Sequence, residues 1–113
     1  MGKYIVKVDP NLNINNQAFG ARIDHDHNVF IPSKLDQALK QHPIGEDPVS
    51  IAAFLASFPT AVSGFLGLSP LAVMKAVDAF IELLAQSGAD VTSARRCAKK
   101  HAYGARHPGG LTQ

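Results

Sequence analysis

The pattern of apolar and polar positions changes near Pro32. Lys3 to Val8 alternates in β-favouring residues, and Ala18 to Ile23 and Val29 to Ile31 are further short β-rich runs. From Pro32 onward the spacing and the capping residues are helical. We therefore predict an α+β fold, with a short N-terminal β-hairpin or meander followed by a bundle of about five helices.

Local capping signals mark the predicted helix ends. The helix-opening signals are Ser33 with Asp36, Asp47 with Pro48, Ser69 with Pro70, and Asp90. Gly88 predicts the end of the longest helix, because glycine readily takes the left-handed conformation after a helix. A single domain is expected over residues 1–103, β-rich over 1–31 and helical over 33–103, with a flexible tail at 104–113.

Composition narrows the class of protein. The chain has 113 residues, of which 46% are hydrophobic and 18% charged, so most of it is expected to fold around a core. One cysteine excludes an intrachain disulfide framework and multi-cysteine metal sites. The first apolar run is too short for a signal peptide, and no uncharged apolar run has membrane-spanning length. We expect a cytoplasmic protein with no membrane partner and no cofactor.

Charge is segregated along the chain. Residues 1–94 hold six Lys/Arg against all nine Asp/Glu, whereas residues 95–113 hold five Lys/Arg and no acid. Such clustering is typical of proteins that bind polyanions, including DNA. The predicted nucleic-acid-binding residues are Arg95, Arg96, Lys99, Lys100, Tyr103 and Arg106.

The helical repeat of 100° per residue places Arg95 to Tyr103 of that set within about 140° of one helix face. Small side chains occupy the opposite side: Val91, Ala94, Ala98 and Ala102. A solvated helix face, or a surface for an acidic protein partner, fits the same pattern.

The helix predicted over Pro70 to Ser87 is apolar around most of its circumference. Its polar positions form one narrow stripe at Lys75, Asp78, Glu82 and Gln86. A helix of this kind must be covered on nearly all sides, so a homodimer seam is one interpretation and the central helix of a compact monomer is the other. The predicted dimer residues are Leu71, Met74, Val77, Phe80, Ile81 and Leu84.

Residues 59–78 resemble the helix-turn-helix of DNA-binding proteins. The resemblance rests on the run from Thr60 to Val73, with Gly67 at the position of the tight turn and Ser69 at the cap of the second helix. It implies that small and apolar side chains pack the two helices together, at Val62, Ser63, Leu66 and Val73. It also implies a second helix that faces DNA, but in this sequence that face is mostly apolar, so the segment serves equally well as a dimerisation or protein-contact element.

Residues 22–51 show a fainter similarity to swapped-hairpin transcription regulators of the AbrB type. The matching runs are Arg22-Ile23-Asp24, Val29-Phe30-Ile31-Pro32, Leu35 with Leu39, and Asp47-Pro48-Val49-Ser50-Ile51. The resemblance implies two strands around a polar turn and a short helix after Ile-Pro. In that family arginines meet DNA, but this chain has Asn28, Asp36 and Gln37 near such places, so the DNA-contacting part is not carried over. An ordinary hairpin before a proline-started helix is the alternative.

Asp24-His25-Asp26-His27 is the one metal-like cluster of the sequence. If the run is extended, His25 and His27 share a face and supply two ligands for a divalent ion. A solvated polar turn is the alternative. No catalytic motif in the sequence is specific, so the sequence favours a small non-enzymatic binding protein, associated with nucleic acid through the basic C-terminal helix. A homodimeric interaction module is the second interpretation and a metal-binding protein the third.

Overall fold

A three-stranded sheet at the N-terminal end packs against a group of helices. The structure is a computed structural model that describes the backbone of residues 4–106 and the side chains of residues 4–100. Within that part the strands are β1 (Ile5–Val8), β2 (Arg22–Ile23) and β3 (Asn28–Ile31), and the helices are α1 (Ser33–Leu39), α2 (Pro48–Ser57), α3 (Pro59–Leu66), α4 (Pro70–Gln86) and α5 (Thr92–Arg106). The predicted α+β class is confirmed.

The sheet has the order β1-β3-β2 and is mixed. β2 and β3 form the predicted hairpin, with Arg22 opposite Phe30 and Ile23 opposite Val29. β1 instead pairs in parallel with β3, so of the two predicted alternatives the structure has the hairpin and not the meander. A parallel pair needs a long connection between its two strands. Residues 9–21 cross from β1 to β2, which lies on the far side of β3, and the hairpin then returns the chain into β3.

Two helix starts follow the predicted chemistry closely. The Asp47 carboxylate accepts from the Ser50 N–H at 3.1 Å, and the Ser69 hydroxyl accepts from the Ala72 N–H at 3.1 Å, each directly before a proline in the first turn. At α1 the N-cap residue is Pro32, so Ser33 lies inside the first turn and makes no capping bond. Local capping therefore defines α2 and α4, whereas α1 begins where Pro32 ends the strand.

Turns at the ends of α3 and α4 also follow the sequence. Gly67 takes a left-handed φ of 74° directly after α3, and the Leu68 N–H donates to the Ser63 carbonyl at 3.0 Å. Gly88 follows α4 with φ 100°. α5 runs to Arg106, so the helix continues for the first three residues of the predicted tail, 104–106. The rest of the predicted tail lies outside the described residues.

α4 is the central helix of the fold. Val77, Phe80, Ile81 and Leu84 are each at most 3% exposed within a single chain, and Phe80 packs edge-to-face on Phe19 with ring centroids 6.4 Å apart. The prediction that these four form a dimer seam is therefore wrong, because the sheet and the other helices already cover them. Of the other two predicted seam residues, Met74 is half-buried and Leu71 is 69% exposed.

Candidate polyanion-binding surface

α5 is held against the rest of the domain by its small-residue side. It packs mainly on α2 and also on α4, and Val91, Ala94 and Ala98 are each no more than 7% exposed. The Asp90 carboxylate accepts from the Thr92 N–H at 3.1 Å and the Thr92 hydroxyl at 2.7 Å, and these bonds lower the pKa of Asp90. Asp90 lies one residue before the N-cap position of α5, and its carboxylate supports the start of the helix through these two bonds.

The opposite side of α5 carries exposed cations. Arg96, Lys99 and Lys100 are all exposed, and none has a carboxylate within 4.0 Å among the side chains of residues 4–100. We call these three residues the α5 cationic surface. They lie within about 100° of the helix circumference, and Arg96 and Lys100 are separated by about 6 Å along the axis.

Arg95 differs from its neighbours. Its guanidinium lies 3.3 Å from the Glu82 carboxylate of α4, with both side chains more than half exposed. An exposed pair of this kind contributes about 0–1 kcal/mol to stability, but it offsets the charge of Arg95. The two residues are thirteen positions apart in different helices, so no local pattern in the sequence predicts this pairing.

The last two residues of the predicted nucleic-acid-binding set are described in part. The backbone of Tyr103 and Arg106 is part of α5, but their side chains are outside the described part of the chain. The geometry of the surface accordingly rests on Arg96, Lys99 and Lys100.

The helix-turn-helix-like segment has the predicted packing. Val62, Ser63, Leu66 and Val73 are buried between α3, α4 and their neighbours, and the Ser63 hydroxyl donates to the Thr60 carbonyl at 3.2 Å. The first two turns of α4 leave Leu71 and Lys75 exposed. One cation on an apolar face offers little to a base edge or a phosphate, so the resemblance to DNA-binding domains stays a prediction.

The Asp24 to His27 run is a turn rather than an extended face. The His27 N–H donates to the Asp24 carbonyl at 3.1 Å, and His27 itself takes a left-handed φ of 65°, where the ring stacks on Tyr4 at 4.5 Å. His25 points to solvent and lies 3.6 Å from the Asp26 carboxylate. His25 and His27 therefore do not share a strand face, and residues 4–100 contain no group of three His, Cys, Asp or Glu side chains placed to hold a metal ion.

The same turn explains the lowered pKa of the Asp24 carboxyl. The Asp24 carboxylate accepts from the Asn28 side-chain amide, the Asn28 N–H and the Asp26 N–H, all at 2.9 Å. The Asn28 bonds are the largest cause of a pKa for Asp24 below its usual range. Asp24 is thus committed to ordering the hairpin.

The segment with similarity to AbrB-type regulators forms its hairpin within one chain. β2 and β3 pair with each other, and α1 follows Pro32 directly. Gln37 is exposed, Asn28 bonds to Asp24, and Asp36 lies 3.1 Å from the Lys40 ammonium. This is the arrangement of an ordinary hairpin before a proline-started helix, and the family resemblance itself stays a prediction.

Comparison of the chain with known protein families, curated protein sequences and solved structures found no match. No single helix among residues 4–106 has the length and hydrophobicity to cross a membrane; α2 and α3, bent by 96°, meet those two criteria when taken together. The function is therefore inferred from the residues themselves.

Proposed function

We propose that this chain is a small non-enzymatic protein that binds nucleic acid through the α5 cationic surface. The observation that carries the proposal is the grouping of Arg96, Lys99 and Lys100 on one helix face, exposed and with no acidic partner among the described side chains. Phosphate contacts from such residues supply affinity without reading base sequence.

The mode of binding follows from the surface. The buried side of α5 is fixed on α2 and α4, so the cations project from a rigid element rather than from a loop. The described part of this surface has no Asn or Gln side chain to read adenine, and its three cations can contact any phosphate, so phosphate contacts are expected to dominate. Binding is expected to be non-specific and strongly salt-dependent, with duplex and single-stranded DNA both accepted.

The experiment is a titration of a fluorescein-labelled duplex of arbitrary sequence, followed by anisotropy at low salt. R96A/K100A should weaken binding at least tenfold. K34A/K75A is the matched control: it removes two exposed cations elsewhere with the same change in net charge.

An equal or greater loss in K34A/K75A would contradict the α5 surface and would favour the helix-turn-helix-like segment, because Lys75 lies in α4 and the Lys34 ammonium lies beside the turn at Gly67. Absence of binding by the unmodified chain at low salt would remove the proposal altogether.

A second candidate function is self-association through exposed apolar side chains. Phe58, the residue before α3, is 56% exposed, and Phe65 within α3 is 43% exposed. No charged residue lies between Asp47 and Lys75. An uncharged apolar helix face is typical of interaction surfaces. Sedimentation should then show a dimer that F65D dissociates without loss of helical content, and a monomer at high concentration would contradict this candidate.

A further inference from the structure

β1 lies at an open edge of the sheet. Among residues 4–106 it pairs with β3 alone. The Ile5 N–H donates to the His27 carbonyl at 3.1 Å and the Asp9 N–H to the Ile31 carbonyl at 2.9 Å. The main-chain N–H and C=O groups of the odd-numbered residues therefore face β3. By the alternation of a strand, the N–H and C=O groups of Val6 and Val8 face away from the sheet.

A groove of about 940 Å³ runs beside this open edge. Tyr4, Ile5 and Val6 form one wall, and the end of α1 and the segment from His42 to Asp47 form the other. The deepest side chains are apolar: Ile31, Leu39 and Ile51 are each at most 7% exposed. This volume is within the range of ligand-binding clefts, about 300–1,000 Å³.

The rim of the groove is acidic. Asp36 is neutralised by Lys40, whose ammonium lies 3.1 Å from it, whereas Glu46 and Asp47 are exposed and have no cation within 4.0 Å among the described side chains. Within the described part of the chain, two carboxylates with no cation partner therefore flank an apolar groove beside the edge of β1, whose outward main-chain groups have no hydrogen-bond partner there either. An extended segment can bond such an edge while its alternate side chains enter the groove.

We infer that this groove binds an extended peptide that carries lysine or arginine and adds to the sheet as a fourth strand beside β1. The main-chain groups of Val6 and Val8 supply the hydrogen bonds, the apolar floor takes every second side chain, and Glu46 and Asp47 select a cationic segment over an acidic one. The site lies on β1, α1 and the start of α2, and uses none of the residues of the α5 cationic surface.

The test uses acetylated hexapeptides of alternating valine and lysine, with binding followed by NMR shifts of the uniformly labelled chain. The parent peptide should bind with a dissociation constant below 1 mM, about −4 kcal/mol or stronger, and shift the amides of β1 and residues 42–47. A peptide with glutamate in place of lysine should bind at least tenfold more weakly.

Two N-methylated isomers report strand addition directly. One carries methyl groups on the valine amides and the other on the lysine amides, so in a strand only one set of amides faces β1. One isomer should lose at least tenfold in affinity, and the other should retain it. Equal affinity of both isomers and the parent would overturn strand addition, because binding through side chains alone does not alternate with period two.

A protein variant tests the charge selection. E46Q/D47N should weaken the lysine peptide at least threefold; Asn keeps the capping role of Asp47, so α2 is expected to stay intact. E82Q/D90N has the same change in net charge away from the groove and should leave the affinity unchanged.

Equal loss in both double variants, or no binding of the parent peptide at 1 mM, would overturn the proposal. A dimer that the peptide dissociates would assign the edge to β1 of a second copy and would likewise overturn it. DNA binding through α5 is measured separately, so a failure at the groove leaves that result unaffected.

Discussion

At the scale of the residue, two aspartates have pKa shifts of opposite direction. Hydrogen bonds from Asn28 lower the pKa of Asp24, whereas partial burial on α4 raises the pKa of Asp78 although its side chain keeps contact with solvent. A lowered folded-state pKa stabilises the fold at pH above the usual aspartate value, and this contribution is lost as the pH falls through the folded-state pKa. A raised pKa has the reverse sign, with the contribution lost as the pH rises through it.

We therefore expect D24N to lower the free energy of unfolding at neutral pH and D78N to raise it. Both differences should shrink as the pH falls through the acidic range where the two carboxyls of the unmodified chain become protonated. Urea denaturation followed by circular dichroism measures this, since the chain has no Trp for fluorescence. Differences of the same sign at pH 7 would contradict hydrogen bonding at Asp24 and burial at Asp78 as the causes of the two pKa shifts.

The backbone requires glycine at position 20 for two separate reasons. Its φ is +75°, and a Cβ there would overlap the carbonyl oxygen of Asn13. G20A should reduce the free energy of unfolding by more than about 2 kcal/mol, because left-handed strain and a backbone clash add. G88A is the control: φ is +100° but the space is open, so about 1 kcal/mol of strain is expected. Equal losses in the two variants would show that the clash contributes nothing.

At the scale of the element, local signals predict more than long-range ones. The Asp47-Pro48 and Ser69-Pro70 starts and the stops at Gly67 and Gly88 are properties of neighbouring residues, so the sequence predicts α2, α3 and α4 well. The parallel pairing of β1 with β3 depends on residues more than twenty apart, and no local pattern specifies it.

The candidate site divides in the same way. The sequence predicts which residues of α5 face outward, because a single helix period fixes them. It predicts neither the Glu82 carboxylate beside Arg95 nor the groove beside β1, since both depend on how separate elements pack. The sequence likewise does not predict the left-handed conformation of His27, which is accompanied by stacking of its ring on Tyr4.

The Glu82–Arg95 pair gives a prediction at this scale. E82Q should release Arg95 to the α5 cationic surface and make the salt dependence of DNA binding steeper by about 0.9 in log K against log salt concentration, as expected for one added phosphate contact. Its effect on stability should stay within about 1 kcal/mol, because the pair is exposed. Anisotropy titrations at several salt concentrations measure the slope, and an unchanged or shallower slope would show that Arg95 already contributes or lies away from the interface.

At the scale of the whole molecule, charge and apolar surface are segregated. The α5 cationic surface, the acidic groove beside β1 and the uncharged face of α3 belong to different elements of one small domain. Their separation allows each to be tested by substitutions that leave the others intact. The buried face of α4 joins them, since Val77, Phe80 and Leu84 lie in the common core.

The salt dependence of DNA binding tests the central claim most directly. With three phosphate contacts from Arg96, Lys99 and Lys100, log K should fall against log salt concentration with a slope of about −2.7 or steeper, and R96A/K100A should make the slope shallower by about 1.8. A slope near zero, or the same slope in R96A/K100A as in the unmodified chain, would contradict the assignment of the α5 cationic surface as the nucleic-acid interface.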